Sequence, residues 1–85
     1  MDHLSLQDRV STNVRILLDR RGRSHGYLAA LLGMDYTDVT NRLDGIVRWD
    51  TVDIERAAEV LGVPWQLLVK HNEVEVVRRA AQPDK

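Results

Sequence analysis

Cysteine and phenylalanine are absent from this chain of 85 residues, and proline occurs only twice. Without cysteine there is no disulfide, no thiolate metal site and no thiol nucleophile. Only four aromatic residues are present, two Trp and two Tyr. The core must therefore be built mostly from Leu, Val, Ile and Ala, which suits short packed helices. No apolar run approaches the roughly 18 residues of a membrane span, and no signal-peptide pattern opens the chain, so a cytoplasmic protein is expected. A Gly-rich phosphate loop is missing as well. The histidines His3, His25 and His71 have no companions at ligand spacing, and no two carboxylates flank a recognisable cleft. These gaps argue against an enzyme, a metal site, a cofactor and a small-molecule ligand.

Excess charge is also lacking. Twelve basic residues meet thirteen acidic ones, for a net charge of −1, which on its own speaks weakly against nucleic acid. The distribution is uneven. Between Arg20 and Arg48, five arginines (20, 21, 23, 42 and 48) face three aspartates (35, 38 and 44), a local +2. From Trp49 onward, five basic residues face seven acidic ones, a local −2. A local field matters more than the total for phosphate binding.

Eighty-five residues make one small domain. Residues 1–4 and 82–85 read as flexible tails, the second ended by Pro83. Ser5, with Asp8 three residues on, resembles a capping box that opens a helix over Leu6–Arg21. Its apolar stripe is Leu6, Val10, Val14, Leu17 and Leu18, with Arg9, Arg15, Asp19 and Arg20 toward water. Ser24 caps a second helix, with Tyr27 and Leu28 turned inward. Gly33 supplies the left-handed turn, Asp35 caps a third helix over 36–44, and Gly45 ends it. Ile46 and Trp49 read as core anchors. Asp50 and Asp53 repeat the cap pattern before a helix over Thr51–Leu61, with Val52, Ile54, Ala57, Ala58 and Leu61 inward. Pro64 suits a first helical position. A fifth helix then begins with Trp65, Leu67, Leu68 and His71 and is expected to run to about Ala81, although Glu73–Val77 also alternates as a strand would.

Two short helices joined by a tight Gly turn, over His25–Gly45, make a helix-turn-helix, whose second helix can enter a DNA major groove. In the third helix Val39 and Leu43 share one face, while Tyr36, Thr37, Asp38, Thr40, Asn41 and Arg42 make up the rest. Hydroxyls, an amide and one arginine, with no lysine or glutamate, suit hydrogen bonding to a partner.

These residues carry a family resemblance. Ser24-x-x-x-Leu28-Ala29-x-x-Leu32-Gly33-Met34, then Val39-Thr40 and Leu43-Asp44-Gly45, then the stretch from Ala57 to Leu61-Gly62-Val63-Pro64, resemble the lambda-repressor/Cro-like helix-turn-helix domains of the xenobiotic-response-element type. An Ala-x-x-Leu-Gly-Met turn followed later by Ala-x-x-Leu-Gly-Val is the most specific part, and the Arg42-Leu43-Asp44-Gly45 ending looks like that of short phage and prophage regulators. The resemblance implies an all-α, compact five-helix bundle over residues 5–70 that regulates transcription by binding double-stranded DNA. Tyr36 and Thr37 would face base edges, with Thr40 and Asn41 one turn on reaching bases or backbone. Arg23, Ser24, His25, Arg42 and Arg48 would contact the phosphate backbone. His25 departs from the family's usual Gln, and Arg42 occupies a position that is often apolar. Asp38 is open between accepting from a cytosine amine, pairing with Arg42 and pointing away from DNA. A single module buries little DNA surface, so a homodimer through residues 64–81 on a palindromic operator is expected. The alternative is an antitoxin-like or phage accessory protein that uses the same fold to bind a protein.

Overall fold

The computed structural model describes residues 5–71, which form five helices and, among these residues, no strand. They are α1 (Leu6–Arg20), α2 (His25–Leu32), α3 (Tyr36–Leu43), α4 (Thr51–Leu61) and α5 (Trp65–Val69). The all-α, five-helix expectation therefore stands.

Local chemistry sets most of the boundaries. Ser5 and Ser24 each accept a hydrogen bond from the backbone N–H three residues on, at Asp8 and Tyr27. The Asp50–Asp53 pair forms a full reciprocal capping box at the start of α4. Each such cap is worth about 1 kcal/mol. Helices α2 and α4 end alike: Gly33 and Gly62 are left-handed, and the next residue donates back to Ala29 and Ala58 respectively. That closure is the physical content of the repeated Ala-x-x-Leu-Gly pattern.

The core joins Val10, Val14 and Leu18 of α1 to Leu28 and Leu32 of α2, Val39 and Leu43 of α3, Ile54, Ala57 and Leu61 of α4, and Leu68 of α5. Burying each large aliphatic side chain contributes about 1.5–3 kcal/mol. Ala29, also buried, lets α3 cross α2 closely. Trp49 plugs the bundle from the loop before α4, and its indole N–H donates to Ser11 Oγ at 3.0 Å.

Besides its apolar stripe, α1 carries two polar rows with helical spacing. Gln7, Ser11 and Arg15 lie four apart and serve the far end of α3 and the loop after it. Gln7 exchanges two hydrogen bonds with the Trp49 backbone, and Ser11 and Arg15 donate to the carbonyls of Arg42 and Leu43. Arg9 and Asn13, also four apart, serve α5.

Several expectations fail, each for a tertiary reason. The fifth helix stops at Val69, and Lys70 is extended. Asn13 donates to the carbonyls of Leu68 and Lys70, and Arg9 donates to that of Val69. The carbonyls at the helix end are thus taken by side chains of α1. The portion of the expected helix over 72–81, and the alternating stretch 73–77, lie outside the described residues, as do the tails. Tyr27, Ile46 and Val52 are exposed rather than inward, Ile46 at 71% and Val52 at 60%. Val52 lies about 200° around α4 from Ile54 and so faces away from the core. Arg9 and Arg15 bond to carbonyls instead of facing water alone.

Candidate nucleic-acid interface

Helix α3 packs on α2 and α1 and projects its remaining surface outward. Its C-terminal end is held at every carbonyl. Thr40 O accepts from Asp44 N–H, Asn41 O from the amides of Ile46 and Val47, Arg42 O from Ser11 and Gly45, and Leu43 O from Arg15. Arg15 also pairs with Asp44 at 2.7 Å, a half-exposed bridge worth well under about 1 kcal/mol after solvent screening.

The N-terminal end of α3 is different. Asp35 occupies the cap position, but its side chain makes no capping bond. Tyr36, Thr37 and Asp38 are exposed, Tyr36 at 59%. The Tyr36 ring leans on His25, with ring centroids 6.3 Å apart and planes inclined by 29°. This contact brings the first residue of α3 and the first residue of α2 onto one edge. On the same edge Arg23 lies over the ring of Tyr27, 4.8 Å from its centre, a cation–π contact that holds the guanidinium near the start of α2. Ser24 caps that helix, whose first turn has no acidic residue. The positive end of its dipole therefore adds to the charges of the edge.

Two of the expected contact residues are turned inward. Thr40 Oγ1 is buried and has no hydrogen-bond partner among the described residues. Thr40 lies one turn on from Tyr36 on the same side of α3, with its hydroxyl covered in this arrangement. Arg42, expected at the phosphate backbone, is engaged within the protein. Its Nε donates to Asp53 Oδ2 at 2.9 Å and its guanidinium donates to the Asp38 carbonyl at 3.0 Å, with the side chain only 17% exposed. An uncharged partner would leave a buried cation unpaired, so the guanidinium stays with the carboxylate. Asp38, one of whose open roles was pairing with Arg42, meets it through its backbone carbonyl. Asn41 is half-buried at the end of the outward surface.

Arg48 sits in the loop between α3 and α4, exposed, and shares a shallow hollow with Gln7 and Asp8 of α1. No contact links it to the Tyr36–His25 edge, so the two groups of candidate phosphate contacts flank α3 at separate places. The local excess of positive charge is also smaller in effect than the sequence count. Arg21 donates to Leu61 O, and Arg42 is paired with Asp53. The side chains of Arg20, Arg23 and Arg48 make no hydrogen bond or ion pair within the described residues. Arg20, exposed at the end of α1, is a further cation three residues before Arg23.

Set beside known proteins, the arrangement has a clear counterpart. The BetR domain family matches residues 5–83. The chain belongs to the BetR domain family. This is a helix-turn-helix-like transcription-factor domain. The BetR domain described here is also similar to a solved structure, that of the hypothetical transcription factor NHTF from Neisseria. The TM-score is 0.79 at 25% sequence identity, over 91% of this chain and 88% of that one. A comparison with curated proteins gave no match. Among the described residues of this BetR domain no helix is long and apolar enough to cross a membrane, and no group of three or more His, Cys, Asp or Glu side chains is placed to hold a metal ion.

Proposed function

We propose that this BetR domain is a sequence-specific transcriptional regulator of the repressor/Cro-like kind, laying α3 in the major groove of an operator half-site. The observation that carries this is the asymmetry of α3. Its C-terminal end is fixed to α1, while Tyr36 and Thr37 stand outward at its start beside an edge bearing Arg23 and His25. Tyr36 has a hydroxyl to donate or accept and a ring face to pack on a thymine methyl; Thr37 offers a hydroxyl and a methyl. Arg23, Ser24 and His25 on one flank and Arg48 on the other suit phosphates of the two strands. Asn41, at the limit of the outward surface, suits adenine or backbone. A homodimer through residues 64–81 would set two such helices about 34 Å apart on a palindromic site.

The test is selection of duplexes from a randomised pool by the full chain, followed by sequencing. A two-fold symmetric motif with half-sites about 10 base pairs apart supports the reading. No enrichment, with no duplex binding at low salt, overturns it. On the selected duplex, Tyr36→Ala should cost about 1–3 kcal/mol on that sequence alone, whereas Arg48→Ala should weaken binding to all sequences and lower the salt slope by about one. Equal losses on every sequence for both variants would contradict this division of roles.

A second reading, an antitoxin-like or phage accessory role on a protein partner, is favoured by one feature. Asp35 and Asp38 at the reading end and the exposed Ile46 in the following loop would suit a protein surface better than phosphate. Failure of the duplex selection together with retention of a protein partner would establish it.

A further inference from the structure

The ion pair between Arg42 and Asp53 has no part in the roles proposed above, and its geometry is unusual for a surface helix. Asp53 Oδ2 accepts two bonds at once, from Arg42 Nε at 2.9 Å and from the Asp50 backbone N–H at 3.2 Å. Asp53 N–H in turn donates to Asp50 Oδ1 at 2.8 Å. The carboxylate is 10% exposed. Arg42 meanwhile reaches back one turn to the Asp38 carbonyl, in the first turn of α3. A single guanidinium thus connects the outward end of α3 to the capping box of α4.

This connection adds to the backbone bonds that Ile46 and Val47 donate to Asn41 O at the end of α3, and it reaches the opposite, first turn of that helix. The close neighbours of α3 are α2 and α1. Helix α4 follows α3 through a loop whose residues Ile46, Val47 and Arg48 are exposed. The other end of that loop is fixed by Trp49, through Gln7 and Ser11. The strut therefore ties together the two parts that must act on one DNA surface, the first turn of α3 and the loop carrying Arg48.

We infer that Arg42 and Asp53 are positioning residues for DNA recognition: they set the roll of α3 and the placement of the Arg48 loop without touching DNA. This rests on the DNA-binding reading above. The inference separates charge from contact. Arg42 is cationic, yet its charge is already matched inside the protein, so it adds nothing to the phosphate count that governs salt dependence. Removing Asp53 does the opposite, because a buried cation without its partner turns outward to solvent or phosphate.

The experiment compares Arg42→Met, Asp53→Asn and the double variant in the full chain, measuring affinity for the selected duplex and for a scrambled duplex across a salt series. Arg42→Met should lower the ratio of the two affinities about tenfold, the scale of one lost base contact, with the salt slope unchanged. Asp53→Asn should lower the ratio similarly while raising the salt slope by about one as Arg42 is released. The double variant should be no worse than Arg42→Met, since both substitutions cut the same link. Arg42→Lys, which keeps the charge but lacks the fork, is the milder second variant and should give an intermediate loss. Arg21→Ala, which removes a comparable bond to Leu61 O away from α3, serves as the control for simple destabilisation and should leave the ratio intact.

A ratio unchanged in folded Arg42→Met and Asp53→Asn protein overturns the inference. So does a salt slope that falls by one in Arg42→Met, which would make Arg42 a phosphate contact. Amide NMR shifts provide a readout that needs no DNA: Tyr36–Asp38 and Arg48 should shift together in Arg42→Met. If they shift while the wild-type chain selects no duplex, the strut stands and the DNA reading fails; if they do not move, the strut itself fails.

Discussion

The two ends of α3 are built by opposite rules. At the C-terminal end every carbonyl has a partner, supplied by Ser11 and Arg15 of α1 and by the following loop. At the N-terminal end the cap residue makes no side-chain bond and three successive side chains stand in solvent. Stability is concentrated where a partner does not reach, and uncommitted chemistry where it does. A helix that must present an invariant frame and a changeable surface can divide the two tasks along its length, because side chains beyond one turn interact little with one another.

That contrast can be broken first at the held end. Trp49 stoppers the bundle and bonds Ser11, which in turn holds Arg42 O. Trp49→Ala should cost about 3–5 kcal/mol in denaturant unfolding. A cost under about 1 kcal/mol would mean that the end of α3 is held without the plug. Thr40 gives the next largest effect, with the opposite sign. Its buried hydroxyl has no partner among the described residues, so Thr40→Val should stabilise the fold by about 1 kcal/mol with duplex selection unaltered. Loss of selectivity in that variant would place the hydroxyl at the DNA after all. The smallest effect sharpens the contrast at the open end. Asp50→Ala should cost about 1 kcal/mol by opening the capping box, whereas Asp35→Ala should cost only a few tenths through the helix dipole. Asp35→Ala should also tighten binding to all duplexes, by removing a negative charge from the presented edge.

The parts of this structure that depend on near neighbours in sequence were legible in it. Ser5, Ser24 and the Asp50–Asp53 box cap helices as their spacing implies, and Gly33 and Gly62 end helices through bonds that reach back only five residues. What escaped depends on distant partners. The stop of α5 at Val69 is set by Asn13 and Arg9, some sixty residues earlier, and helix propensity alone gave no warning of it. The same holds at the candidate site. Tyr36 and Thr37 face outward as their helical positions imply, but nothing local to Arg42 reveals that Asp53 takes its guanidinium. One signal was available and unused: Gln7, Ser11 and Arg15 recur every four residues beside an apolar stripe, a polar row that a free helix face would not need to keep so regular.

The seam between α1 and α5 has a consequence for the order in which the bundle can be completed. Arg9 bonds Val69 O at 2.8 Å although the two are 60 residues apart in the chain. The start of α1 and the end of α5 therefore lie side by side. A bond that closes so long a stretch of chain forms only once the helices between have docked, so Arg9 and Asn13 seal a bundle that is already assembled.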